Sequence, residues 1–456
     1  EHDLADPNID NQVFSALSMA SVKLLKADPS PAVPSMPVTR QALVVGGGLA
    51  GMTAAQGIAD HGYPVTLVEE TENLGGMTMG VHYVLGDEDP RKYMENLIDA
   101  VEKHPNIRVV KEGRVSLVTG RAGRFMSLIS TDEGSIPFEH GVAILATGGK
   151  PNFVYDFGFK VHKIVLSHSD LERGLASGEM DARALTGVAM IQCWRASETN
   201  RHYCSRICCA NALKNILLLK RRNPDLPIWV FYRDIMSYGF MEEYYTKARE
   251  AGAIFIRYEF GHEPKITFED RKPVITAWEP ILQREIQVRP SIVALSTGIG
   301  ASDVGELAEI FGVPLDENGF YQEAESKWRP VDFMKQGLFM CGVAISPRNM
   351  GESVASAKAA AQRALRILSS QRLVGDTVVA EVRESLCSLC GACINVCPYG
   401  ARRLDMDKGR VIVDELLCQG CGSCAAVCPN SASVLRGFHD DQIMTSIDAA
   451  LEDFLA

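Results

Sequence analysis

The chain has no apolar run that approaches the ~18 residues a membrane-spanning helix needs, so no direct membrane span is expected. It has no excess of positive charge either. Its 46 Lys and Arg face 57 Asp and Glu, a formal net charge of −11, which leaves no basic field for a polyphosphate backbone and argues against nucleic acid as a partner. None of its ten histidines falls in a metal-ligand spacing. The chain opens Glu1-His2-Asp3 without an initiator Met, a basic n-region or a cleavable apolar segment, so no secretory signal is visible and it reads as part of a longer chain. What is present is ordinary globular material, 46% hydrophobic and 23% charged, and 456 residues suggest roughly three domains.

Cysteine placement says more than cysteine number. Of 13 cysteines, eight lie between Cys387 and Cys428, four between Cys193 and Cys209, and Cys341 stands alone. A chain this long has core enough not to need disulfide staples, so the clusters read as metal ligands in a reducing, cytoplasmic setting. Cys341, before Gly342, reads as a core thiol.

Five regions follow from the pattern. Residues 1–37 combine an amphipathic helical stretch, Val13 to Leu25, expected to pack on the domain that follows, with a linker carrying Pro29, Pro31, Pro34 and Pro37. Residues 38–185 begin with strand, glycine turn, helix and strand, Ala42 to Glu69, and reach a later strand, Val142 to Leu145, that ends in Ala146-Thr147-Gly148. Residues 186–290 repeat the α/β pattern with strands at Val188 to Gln192 and Ile228 to Tyr232 around a helix from Ser205 to Arg222. The Ile292 to Gly300 segment echoes the first strand–Thr–Gly ending, so 291–375 is read as a return to the first domain, closed by a helix from Glu352 to Ser369. From residue 376 to 456 the composition turns cysteine-rich.

Gly46-Gly47-Gly48-Leu49-Ala50-Gly51 satisfies G-x-G-x-x-G between an apolar strand and a helix. Gly46 and Gly48 permit the tight turn and close backbone approach to a pyrophosphate, Gly51 permits close helix packing, and the helix start offers free N–H groups. Glu69, 18 residues beyond Gly51 at the end of the next strand, can accept the adenosine ribose hydroxyls. Gly75 and Gly76, Thr147 and Gly148, and the segment from Gly342 to Glu352 and Ser353 resemble the FAD domain of two-dinucleotide flavoproteins such as thioredoxin reductase. That resemblance implies FAD, with these residues around it and the helix at Glu352 and Ser353 aimed at the flavin ring; the plainer alternative is that those two only cap the helix. After Gln192 the expected second fingerprint is missing, for Cys193-Trp194-Arg195-Ala196-Ser197 contains no glycine. No cysteine pair follows Gly76. Both absences argue against direct reduction of a small disulfide by NAD(P)H.

Cys387, Cys390, Cys393 and Cys397-Pro398, then Cys418, Cys421, Cys424 and Cys428-Pro429, are two copies of the bacterial ferredoxin run. The swapped fourth ligand assigns one 4Fe–4S cluster to Cys387, Cys390, Cys393 and Cys428 and the other to Cys418, Cys421, Cys424 and Cys397. A zinc ribbon would not need this duplicated set. The spacing of Cys193, Cys204, Cys208 and Cys209 leaves a third cluster, buried thiols and a redox dithiol all open.

Gln192-Cys193, Tyr203 to Cys209, Ala212 to Asn215, Tyr232 to Ile235 and Tyr238-Gly239, with the FAD half and the ferredoxin module, resemble the A-type flavoprotein of heterodisulfide reductase over residues 38 to 445. The resemblance implies an α/β, thioredoxin-reductase-like two-dinucleotide-binding flavoprotein with a C-terminal α+β ferredoxin domain holding two 4Fe–4S clusters. It implies FAD and three 4Fe–4S clusters, the third on Cys193, Cys204, Cys208 and Cys209, and it puts Lys214 beside the flavin ring, where an ammonium stabilises anionic flavin; a solvated helix lysine is the alternative. Arg195, Arg206 and Arg233 are read as solvated or salt-bridged.

Two departures stand out. The family's N-terminal cluster domain is absent or truncated, with Asp3 where other members carry a cysteine, and the inserted ferredoxin unit of some methanogen members is not there. The function expected is an FAD and iron–sulfur electron-transfer subunit, with electron bifurcation implied by the family, in a heterodisulfide-reductase-like complex. Its expected partners are B- and C-type components of that enzyme or hydrogenase- or dehydrogenase-linked iron–sulfur proteins, and ferredoxin, in a dimer of complexes. The rivals are service to another catalytic partner, such as a class II benzoyl-coenzyme A reductase or a quinone-linked complex, a free-standing NAD(P)H oxidoreductase, and a scaffold with structural clusters.

Overall fold

The computed structural model describes residues 8–27, 33–86, 88–152, 156–193 and 203–455. Trp194 to Ser197, including Arg195, lie outside them, as do Asp3, Pro29 and Pro31.

Two parallel five-stranded sheets carry the fold. In the first, Leu338–Met340, Val142–Leu145, Ala42–Val45, Val65–Val68 and Ile107–Val110 lie side by side in that order. The three central strands are buried at every position, as a sheet covered on both faces requires. The helices Leu49–Ala59 and Met350–Leu368 pack together over it. Small residues let them approach: a Cβ added at Gly57 would stand 3.2 Å from Ala361 Cβ. The second sheet has the order Val165–Ser167, Ile292–Leu295, Val188–Ile191, Ile228–Tyr232, Ala253–Arg257. An antiparallel three-stranded sheet follows each, at 114–140 and 265–288.

This topology moves two expected boundaries. The strands Val165–Ser167 and Ile292–Leu295 pair with each other inside the second sheet. The second domain therefore begins before residue 185 and runs past 291. Ile292–Leu295 looks like a first-domain strand in sequence because both sheets end in the same Thr–Gly turn; hydrogen-bond partners, not local pattern, decide to which sheet it belongs. The chain crosses between the sheets on Gly149–Pro151 and Ile299–Ala301, which pair antiparallel.

The C-terminal module repeats itself. The strands Ala380–Val382 and Ser433–Leu435 pair, as do Arg402–Asp405 and Arg410–Val413, and the one-turn helices Ala392–Asn395 and Ser423–Ala426 each start at a left-handed glycine, Gly391 and Gly422. Arg121 forms an ion pair with Asp414 and so ties this module to the first domain.

The N-terminal helix spans Ile9–Leu25. It packs on the last helix, Asp440–Leu455, rather than on the domain that follows it in sequence, with the Lys23 ammonium 3.8 Å from the Phe438 ring centroid. Its large apolar side chains, Val13, Phe14, Leu17, Leu24 and Leu25, remain exposed. No helix among the described residues is long and apolar enough to cross a membrane.

Candidate functional site

A continuous cavity of about 2010 Å3 runs along the carboxyl ends of both parallel sheets. Ligands of open α/β sheets bind in that position, and the volume exceeds the ~300–1,000 Å3 of small-ligand pockets, so it has room for a dinucleotide. Gly46, Gly48, Glu69, Gly75, Gly76, Thr147, Gly148 and Ser353 all line it, as do Cys208 and Lys214 from the second sheet.

The turn after Val45 is shaped by its glycines. Gly46 has φ +109°, and a Cβ there would stand 2.3 Å from the Ala146 carbonyl oxygen. A Cβ on Gly48 would meet nothing within 4 Å and would project into open space, the approach a pyrophosphate needs. Helix Leu49–Ala59 starts at Gly48 with no side-chain cap, so its first N–H groups are left for a ligand. Glu69 is 8% exposed. Its Oε2 accepts from the Gly47 N–H at 2.6 Å, and its Oε1 accepts from the Thr71 N–H and hydroxyl. Carboxylate oxygens carry further lone pairs, so ribose hydroxyls can still be accepted. The residues present therefore fit an FAD.

The opposite wall belongs to helix Met350–Leu368. Asn349 and Glu352 form a capping box there, so the capping role weighed for Glu352 is present: Asn349 Oδ1 accepts from the Glu352 N–H, and Glu352 Oε2 from the Asn349 N–H. Ser353 is 5% exposed on the cavity wall, and Gly342, at φ +69°, gives its N–H to Ser356 Oγ. Arg348 was missed in the sequence. It lines the cavity with a buried Nε that has no hydrogen-bond partner among the described residues. A basic residue just ahead of a helix cap was the available signal.

In the second sheet, cysteines stand where the first has glycines. Cys193 follows the strand Val188–Ile191, and Cys208 and Cys209 open helix Ile207–Arg222. Cys193 and Cys209 sulfurs lie 3.6 and 3.8 Å from the same Asp234 carbonyl oxygen. Cys209 Sγ accepts from the Met236 N–H and Cys204 Sγ from the Arg206 N–H, each at 3.3 Å. Burial and the neighbouring Cys209, Cys204 and Cys193 push the Cys208 thiol up to about 12. Burial, with Cys193 and Cys204 close by, pushes Cys209 up to about 11. The four are thus brought together as crowded thiols that stay protonated unless a positively charged centre takes up their charge. Among the described residues no three His, Cys, Asp or Glu close on a single ion.

Lys214 is not a solvated helix lysine. It is 8% exposed, with Nζ 2.8 Å from Glu172 Oε2 and 2.8 Å from the Tyr83 carbonyl. Burial lowers its pKa, and Glu172 works against that shift. Arg206 is salt-bridged to Glu352, and Cys341 is fully buried in the first core.

Beside Lys214, His168 is sandwiched between Gln192 and Asn215 at 2.8 and 3.2 Å. A neutral imidazole has one donor and one acceptor, so one facing amide presents its oxygen; the Asn215 amide nitrogen also donates to the His168 carbonyl, which leaves Gln192, beside the Ser296 hydroxyl, as the amide free to turn. Burial and then Lys214 lower the His168 pKa from 6.5 to about 3, and burial lowers that of His140 to about 4. Unfolded histidines bind protons that these folded ones refuse. Stability is thus full above pH 6.5 and is lost as pH falls towards 3, by up to about 1.4 kcal/mol per pH unit for each proton. His168→Gln is expected to flatten the dependence of the urea midpoint on pH between 4 and 6 by about one proton, leaving the His140 contribution.

In the C-terminal module Cys418, Cys421, Cys424 and Cys397 line one small cavity. Cys418 and Cys424 are both 8% exposed, whereas Cys390 is exposed and Cys387, Cys393 and Cys428 are half-buried. The two fourth cysteines are held alike, Cys397 by the Ala401 N–H and Cys428 by the Ala432 N–H.

Comparison with known proteins follows these divisions. Residues 40–186 match the family described as pyridine nucleotide-disulphide oxidoreductase, and residues 386–432 match the 4Fe-4S dicluster domain. The A-type component of the Ferredoxin:CoB-CoM heterodisulfide reductase of Methanosarcina acetivorans is 26% identical, over 91% of this chain and 67% of its own length. The A-type iron-sulfur component of the CoB-CoM heterodisulfide reductase of Methanocaldococcus jannaschii is 29% identical, over 91% of this chain and 78% of its own. The chain is a relative of the A-type flavoprotein of heterodisulfide reductase. It is an oxidoreductase-family chain, built from a flavoprotein-type dinucleotide domain and a 4Fe–4S dicluster module. A solved thioredoxin reductase of Lactococcus lactis is 15% identical over 72% of this chain and 99% of its own, with a TM-score of 0.49.

Proposed function

We propose that this relative of the A-type heterodisulfide reductase flavoprotein is an FAD and iron–sulfur electron-transfer subunit of a multisubunit, cytoplasmic, heterodisulfide-reductase-like complex. The observation that carries the reading is the shared cavity, walled at one end by the Gly46–Gly51 turn and at the other by Cys208 and Lys214. FAD supplies the interchange between two-electron and one-electron chemistry, and clusters carry single electrons.

The chain's residues divide the work. Gly46 and Gly48 with the start of helix Leu49–Ala59 seat the pyrophosphate, Gly51 lets that helix pack close against the turn, and Glu69 takes the adenosine ribose. Gly75, Gly76, Thr147, Gly148 and Gly342 bring backbone close to the cofactor, Glu352 and Ser353 turn a helix N-terminus towards its ring, and Lys214 supplies positive charge there. Cys193, Cys204, Cys208 and Cys209 hold one cluster; Cys387, Cys390, Cys393 and Cys428, and Cys418, Cys421, Cys424 and Cys397, hold two more.

Iron, acid-labile sulfide and flavin counted in the anaerobically purified chain test this. About twelve irons and one FAD are expected from three 4Fe–4S clusters. About eight irons would remove the cluster at Cys193 to Cys209 and with it this reading, leaving a flavin–ferredoxin fusion. Rapid bleaching of the isolated flavin by NAD(P)H would instead identify a free-standing pyridine nucleotide oxidoreductase.

A further inference from the structure

The cysteine-bearing loops belong to the second sheet, and the helix Met350–Leu368 that faces them belongs to the first. Covalently, the two sheets are joined through the paired strands Gly149–Pro151 and Ile299–Ala301. Two short strands form a narrow joint, and Glu172 and Lys214 tie the second sheet to His82 and Tyr83 on one side of it; at the cysteine-bearing loops a separate contact fixes how far they stand from the helix.

Arg206 spans that gap. Its Nη1 donates to Glu352 Oε1 at 3.3 Å and to the Tyr238 hydroxyl at 3.0 Å, and its Nη2 donates to the Pro347 carbonyl at 2.9 Å. Tyr238 in turn donates to the same Glu352 Oε1. The other Glu352 oxygen is held in its own helix cap by the Asn349 N–H, so the carboxylate is fixed at both oxygens. Arg206 and Glu352 side chains are 34% and 29% exposed, too sheltered for full solvent screening.

The other ends of these residues matter as much. Arg206 adopts φ +58°, a left-handed conformation that a residue with a Cβ holds only when its surroundings impose it, and its N–H donates to Cys204 Sγ. Tyr238 closes the segment whose Asp234 carbonyl faces Cys193 and Cys209 and whose Met236 N–H donates to Cys209 Sγ. Two separate segments that contact cysteine sulfurs therefore converge, within two to four residues, on one carboxylate of the opposite domain.

We propose that Arg206, Tyr238 and Glu352 form an interdomain clasp that sets the distance between the four-cysteine site and the cavity at the start of helix Met350–Leu368. Resting on the proposed function, it makes these three positioning residues for electron exchange between the flavin and the cluster: electron transfer slows steeply with distance, and the clasp holds that distance short.

The test uses the full chain with its cofactors, as wild type, Arg206→Met, Tyr238→Phe and the double variant Arg206→Met/Glu352→Gln. Hydrogen exchange at backbone amides of residues 204–209 and 350–353 is expected to rise about tenfold in Arg206→Met, the scale of losing a charge-assisted hydrogen bond, and less in Tyr238→Phe. The double variant is expected to be no worse than Arg206→Met, because both remove the same link. After flash reduction of the flavin, equilibration with the cluster should slow by about tenfold or more in Arg206→Met and less in Tyr238→Phe, at unchanged iron and flavin content in these two single variants. Variants with full cofactor content that match wild type in exchange and in equilibration rate would overturn the clasp. Wild type with about eight irons would instead overturn the proposed function, while the exchange measurement on the same chain would still decide for or against the clasp.

Discussion

Gly51→Ala is expected to lose the first domain's fold together with its cofactor, whereas Gly48→Ala, three residues earlier, is expected to keep the fold and lose only the cofactor. A Cβ on Gly51 would stand 1.8 Å from the Gly46 carbonyl oxygen. That oxygen has nowhere to retreat, since Gly46 is held by its own N–H to the Val68 carbonyl at 2.8 Å and by close contact with Ala146. Overpacking against fixed backbone costs about 3 kcal/mol or more, a large part of a total stability of about 5–15 kcal/mol. Gly48 is different. Its φ of −76° and ψ of −178° suit alanine, and its Cβ would meet no atom within 4 Å. The stability change at Gly48 should stay within about 0.5 kcal/mol, while the methyl occupies the space through which a pyrophosphate approaches the backbone. Thermal midpoint and bound flavin, measured on both variants, separate the two effects. Full flavin retention by Gly48→Ala would remove this turn as the pyrophosphate seat, and a wild-type melt of Gly51→Ala would refute the packing argument.

The same contrast explains what was legible in the sequence. Gly46 to Gly51 could be read because strand, turn and helix are consecutive, and each glycine answers a local demand. The two ferredoxin runs could be read for the same reason: three cysteines on one tight loop and a fourth four residues on is a local geometry, and the cavity shared by Cys397 with Cys418, Cys421 and Cys424 follows from its repetition. What was not legible depends on partners far away in the chain. Ile292–Leu295 joins the second sheet because of Val165–Ser167 and Val188–Ile191, and nothing inside the segment says so. The helix Ile9–Leu25 has an apolar stripe, but its partner helix lies more than four hundred residues on. Glu172, 42 residues before Lys214, had no pattern to mark it as that lysine's counter-ion. Arg206 could be read as salt-bridged, yet its partner, 146 residues away, could not be named.

Lys214 and Glu172 should show what such an unmarked pair does. Glu172 Oε1 accepts the His82 and Tyr83 N–H groups at 2.6 and 2.9 Å, while its Oε2 meets Lys214 Nζ. Removing the lysine thus leaves the carboxylate two donors, but removing the carboxylate leaves the ammonium, among the described residues, the Tyr83 carbonyl alone. Glu172→Ala is therefore expected to cost about 3–5 kcal/mol near neutral pH and Lys214→Met clearly less. The alanine variant should also recover as pH rises. Burial already lowers the pKa of Lys214 and Glu172 opposes it, so without Glu172 the folded chain sheds a proton that the unfolded chain holds up to about 10.5. Stability then rises with pH through the alkaline range below that value, where wild type is flatter. The pair is neutral as a whole, so its field in the cavity is that of a dipole. On the proposed function, Lys214→Met strips the positive end and is expected to lower the flavin potential, while Glu172→Gln strips the negative end and is expected to raise it. Shifts of opposite sign, with Lys214→Met/Glu172→Gln falling between them, would place the pair beside the flavin ring. Unchanged potentials in both single variants, with the urea midpoints displaced as stated, would make it a structural pair with no part in tuning the cofactor.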